Sequence, residues 1–136
     1  MNEQADRRAT GNDVTIFVCV ACRQGDDADG RPGRVFLDAV REQLALDSDA
    51  AIRVEPVECL AVCKRPSTVA LAGDGKWTYV IGGLETTPAH VGEIIASARA
   101  YGASANGIVP WKERPEAFRK GVVSRTPPVG FVTPAP

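Results

Sequence analysis

The chain has 136 residues, formal net charge −1 at pH 7, 44% hydrophobic and 24% charged residues, and four cysteines. That is one domain's worth of soluble globular chain, too short for two independent cores. The near-neutral charge gives no reason to expect nucleic acid or an anionic membrane as partner, and no apolar run approaches the roughly 20 residues that span a bilayer.

Residues 1–12 are polar and without apolar period, so a disordered leader is expected there; it has no apolar signal region. Val14 to Val20 is rich in β-branched and aromatic residues and reads as a buried strand ending at Cys19. Gly25 to Gly33 is dense in turn formers and reads as loop. Val35, Leu37, Val40, Leu44 and Leu46 recur near helical spacing, which predicts an amphipathic helix over 33–46. Ile52 to Val57 alternates with period two, and Pro56 marks it as an edge strand or a strand end. Thr68–Ala72, the turn Gly73–Gly75 and Trp77–Ile81 predict a hairpin. Thr86 or Thr87 caps a second helix that has Pro88 in its first turn. Val91, Ile94, Ile95 and Ala98 form its apolar face through Tyr101.

The order β, α, β, β, β, α places a helix between strands one and two, which predicts a parallel neighbouring pair with a right-handed crossover and a later antiparallel hairpin. This is the order of a thioredoxin-like α/β fold with a four-stranded mixed sheet, two main helices and an extended C-terminal tail. The expected organisation is a leader over 1–12, a metal-binding domain over 13–102, and an extension over 103–136 that packs on the domain and ends loosely after about residue 128. Within that extension a short helix is expected near Pro115–Lys120, with Trp111 and Phe118 folding the segment back. Lys and Arg number 11 against 15 Asp and Glu over residues 1–110, and 5 against 2 over residues 111–136, so an acidic body ends in a basic tail.

The four cysteines carry the chemistry. Cys19 and Cys22 follow strand one, Cys59 and Cys63 follow strand two, and parallel neighbours deliver both pairs to one end of the sheet. Four thiolates suit a [2Fe–2S] cluster or a tetrahedral zinc. Four thiolates with no histidine nearby signal metal strongly and the kind of metal weakly. Iron–sulfur is the favoured expectation, zinc holding a structural or interaction module the second, and a thiol redox protein or metal carrier the third. Against thiol exchange stands the loop between Cys22 and the predicted helix, which is expected to keep the activating helix N-terminus out of reach of the first pair. Paired cysteines of this kind are expected in a reducing, bacterial-type cytoplasm.

Other groups carry less. His90, the sole histidine, is expected to serve the helix end. Arg23, Lys64 and Arg65 follow the cysteines and would raise a cluster's potential and steer an acidic redox partner. Ala21, Leu60, Ala61 and Val62 are small or apolar, as expected where backbone N–H groups approach sulfur. Asp26, Asp27 and Asp29 lack the spacing of a calcium loop. No set of residues equips the chain as an enzyme.

The pattern Cys19-x2-Cys22 after a first strand, then Glu58-Cys59-Leu60 to Cys63 before Thr68-Val-Ala-Leu71, with Trp111 to Glu116 and Ser124 to Pro128, resembles an uncharacterised bacterial family of predicted metal-binding proteins, a domain of unknown function, over roughly residues 14–126. It is also similar to thioredoxin-like [2Fe–2S] ferredoxins. The second pair matches their three-residue gap, whereas the first pair is closer together than theirs. The resemblance implies electron transfer to a protein redox partner through a [2Fe–2S] cluster and is compatible with a homodimer.

Overall fold

The computed structural model describes residues 13–21, 32–48, 50–61 and 67–134. The expected leader over 1–12, Cys22, Cys63, Arg23, Val62, Lys64, Arg65 and the three loop aspartates lie outside them. In chain order the elements are β1 (Val14–Cys19), α1 (Pro32–Asp47), β2 (Ile52–Val57), β3 (Val69–Ala72), β4 (Thr78–Ile81), α2 (Pro88–Ala103), a 3-10 turn (Trp111–Glu113), α3 (Glu116–Gly121) and β5 (Val122–Thr126).

The strands form one mixed sheet in the order β2-β1-β3-β4-β5. β1 and β2 are parallel, as the intervening helix requires, with Val14 opposite Ile52 and Cys19 opposite Val57. β1–β3 and the β3–β4 hairpin are antiparallel. Val14, Ile16 and Val18 alternate to one face of β1 and are buried with Leu37, Val40, Ile94, Ile95 and Ala98 of the two long helices. That is the two-residue period of a strand meeting the apolar stripe of a helix. β2 is an edge strand, consistent with Pro56 in its penultimate position.

Local chemistry sets the helix ends. The Thr87 hydroxyl accepts the His90 N–H at 3.1 Å, Pro88 opens α2, and the His90 Nδ1 accepts the Glu85 N–H at 2.9 Å. His90 thus serves the helix end, as expected. At the other end the buried Lys76 ammonium donates to the Gly102 carbonyl at 2.7 Å, satisfying an acceptor the helix leaves open. Arg99 of α2 and Asp47 of α1 pair at 3.0 Å on the surface.

The sheet has one strand more than the sequence predicts. β5 pairs antiparallel with β4, Thr78 opposite Thr126 and Val80 opposite Ser124, with a register shift at Val80/Ile81. Its residues are almost all exposed, so no apolar alternation marks it; hydrogen bonding to β4 creates it. α3 falls where a short helix is expected. Phe118 is fully buried, its ring edge-on to Tyr79 at 4.8 Å, and this anchors the segment. Trp111 does not share that role: it is 59% exposed, and its ring is flanked by the guanidinium groups of Arg114 at 5.9 Å and Arg119 at 6.0 Å. Arg114 itself donates to the Val109 carbonyl at 2.7 Å and lies over the Phe118 ring at 5.0 Å. No helix among the described residues is long and apolar enough to cross a membrane.

Tyr101 is buried and donates its hydroxyl proton to the Trp77 carbonyl; burial pushes its pKa well above the ordinary phenol value. Because the folded pKa is raised, Tyr101 contributes stability that is complete below about pH 10, where the unfolded phenol begins to ionise, and lost as pH rises further. Lys76 acts in the opposite sense. Burial lowers its pKa, so rising pH relieves its cost only up to the ordinary lysine value. The urea midpoint is therefore expected to fall above about pH 10.5, and Tyr101→Phe, though less stable at neutral pH, to show a shallower fall. Parallel slopes in the two proteins would remove Tyr101 as the cause.

Candidate metal centre

The carboxyl ends of β1 and β2 lie side by side, and each carries one cysteine at or just beyond its end. Cys19, the last residue of β1, is 1% exposed. Its N–H donates to the Thr68 carbonyl at 2.9 Å, and its thiol donates to the Glu58 carbonyl at 3.6 Å. The Cys19 sulfur therefore touches the peptide that leads directly into Cys59. Cys59, two residues beyond β2, is exposed. Its Sγ accepts the Ala61 N–H at 3.1 Å. That contact needs a sharp turn, and Ala61 has φ +63°, in the left-handed region that costs an L-residue energy. A backbone N–H aimed at sulfur is the contact that thiolates and metal-bound sulfurs accept in metal centres. Ala61 meets the expectation of a small residue at such an approach.

The start of α1 is the second support. Gly33 sits so close to β1 that a Cβ there would lie 1.7 Å from the Cys19 carbonyl oxygen and 2.8 Å from its carbon. The sequence predicts a helix start out of reach of the first pair, but the start of α1 lies against the Cys19 backbone; Cys22 is outside the described residues. Cys19 Sγ is nevertheless engaged by Glu58, on the β2 side.

Of the four expected ligands, the structure brings Cys19 and Cys59 to adjacent strand ends; Cys22 and Cys63 lie outside the described residues. Among the described residues no three His, Cys, Asp or Glu side chains gather where they could hold a metal ion. Sequence reasoning missed two structural contributors. One is Gly33, whose role is close approach rather than turning. The other is Ser67, four residues after Cys63, buried at 2% with φ +60°, whose carbonyl accepts the Leu84 N–H at 3.1 Å. Neither has a signature in local composition.

The parallel β1–β2 pair joined by α1, the antiparallel hairpin and the packed α2 define a thioredoxin-like α/β protein. Two solved structures of a thioredoxin-like [2Fe–2S] ferredoxin from Aquifex aeolicus are similar to it. One has a TM-score of 0.54 at 21% identity over 89% of this chain and 99% of that one. The other, of the wild-type ferredoxin, has a TM-score of 0.53 at 21% identity over 83% of this chain and 98% of that one. At that identity the likeness is one of fold. Residues 16–128 match a family described as a protein of unknown function, DUF1636, and the chain belongs to that family. No curated protein matches it.

Proposed function

We propose that the protein is a small electron carrier that holds a [2Fe–2S] cluster through Cys19, Cys22, Cys59 and Cys63 and exchanges electrons with a protein partner in the cytoplasm. The observation that carries this reading is the pairing of strand ends: the Cys19 sulfur lies against the Glu58 carbonyl, one residue before Cys59, whose own sulfur receives the Ala61 N–H. When bound, the cluster supplies a one-electron redox centre, and hydrogen bonds to its sulfurs and its exposure set the potential. The chain's part is to present one buried and one exposed thiol from adjacent strands and to aim a fixed backbone donor at the exposed one. The fold shared with the Aquifex ferredoxin supports the reading, as does the sequence position of both cysteine pairs, each starting at or just after the end of one of these two strands.

The ligand assignment is tested by replacing the cysteines singly with serine. Cys19→Ser, Cys22→Ser, Cys59→Ser and Cys63→Ser, purified without oxygen, are each expected to retain less than half of the wild-type iron and acid-labile sulfide. A variant with full iron and sulfide would remove that residue from the ligand set, and full content in all four would end the proposal.

A further inference from the structure

The two edges of the sheet are not equivalent. At the β2 edge, Pro56 has no N–H to offer, and the Val54 carbonyl is taken by the Arg41 guanidinium at 3.3 Å. At the β5 edge, Val122–Thr126 pairs with β4 on one side, and no described strand lies on the other. Four of its five residues are exposed, Val123 at 41%. Cations are held on aromatic faces in the strand and in the segment that leads into it: Arg125 of β5 lies 4.7 Å from the Trp77 ring, and Arg119 of α3 stands over the exposed Trp111. Lys120 is balanced by Glu116 at 3.0 Å, which leaves Lys112, Arg114, Arg119 and Arg125 against Glu113 in a segment attached to an otherwise acidic chain.

We infer that the free edge of β5 is a docking site for an acidic, extended segment of a partner protein, which adds as a sixth strand beside Val122–Thr126. An open edge supplies main-chain hydrogen bonds, and the exposed Val123 supplies an apolar anchor. Arginines already ordered over aromatic rings lose little freedom when a carboxylate arrives. The charge chooses the occupant. A second copy of this chain would bring two basic edges together, and like charges across a strand pair disfavour it, whereas an acidic strand is attracted. β5 lies three strand spacings from β1, roughly 14 Å, so the site is separate from the cysteines and the inference does not depend on a metal.

The test uses the full chain and a synthetic ten-residue peptide of alternating glutamate and valine, followed by amide hydrogen exchange and tryptophan fluorescence. The peptide is expected to slow exchange in residues 122–126 at least tenfold, and Arg119→Glu/Arg125→Glu to weaken its binding at least tenfold while the thermal midpoint stays near that of the wild type. Three results would each overturn the inference. They are absence of protection at millimolar peptide, equal binding by the peptide with lysine in place of glutamate, and equal binding by an acidic peptide interrupted by prolines, which cannot pair as a strand. A dimer in sedimentation with residues 122–126 already protected would assign the edge to a second copy instead.

Discussion

Gly33→Ala is expected to destabilise the protein by about 3 kcal/mol, at or above the upper end of what overpacking ordinarily costs. An alanine Cβ would meet the Cys19 carbonyl oxygen at 1.7 Å, the Cys19 carbonyl carbon at 2.8 Å and the Val20 Cα at 3.3 Å. All three are backbone atoms, so no rotamer change relieves the clash. Either α1 lifts off the strand or the end of β1 shifts, and both movements disturb the segment that presents the Cys19 thiol. The variant is accordingly expected to lose bound metal together with stability. Gly92 provides the control. It lies exposed in α2 with nothing within 4 Å of its virtual Cβ, and Gly92→Ala is expected to stabilise by about 0.5–1 kcal/mol through helix propensity. Equal urea midpoints for Gly33→Ala and wild type would contradict the close approach of α1 to β1.

Phe118→Ala is expected to cost about 3–5 kcal/mol, the range for truncating a fully buried phenylalanine. Its ring meets Tyr79 at 4.8 Å and lies 5.0 Å from the Arg114 guanidinium, so the substitution opens a cavity and removes one of the rings that support that cation. Because α3 leads directly into β5, amide protection in β5 is expected to fall more than in β1. Trp111→Ala, in the same segment but mostly exposed, is expected to change stability by about 0.5 kcal/mol or less. The contrast in urea midpoints and in site-resolved hydrogen exchange checks both. A Trp111→Ala loss as large as that of Phe118→Ala would mean that the wrong aromatic has been assigned as the anchor.

The elements that were legible in the sequence are those with a local physical cause. The Thr87 cap, Pro88 and the Val91, Ile94, Ile95, Ala98 stripe mark α2, which runs Pro88–Ala103. The apolar period over 33–46 marks α1, which runs Pro32–Asp47. A helix between two strands makes them parallel neighbours, which is enough to bring Cys19 and Cys59 to one end of the sheet. What stayed hidden depends on distant partners. β5 is too polar to announce itself and exists because β4 offers it hydrogen bonds. Gly33 reads as the junction of a turn-rich loop and the helix, with nothing local to mark a close contact, yet its missing side chain is what lets α1 reach the Cys19 backbone. Trp111 and Phe118 look equally suited to burial, and the guanidinium groups of Arg114 and Arg119 explain how Trp111 is accommodated at the surface.

The most direct test of the central claim is the absorption spectrum of wild-type protein purified without oxygen, with iron, acid-labile sulfide and zinc quantified on the same sample. A [2Fe–2S] carrier predicts a brown protein with roughly two irons and two sulfides per chain and visible bands that bleach on reduction. A colourless protein holding a single zinc, or no metal, would contradict it.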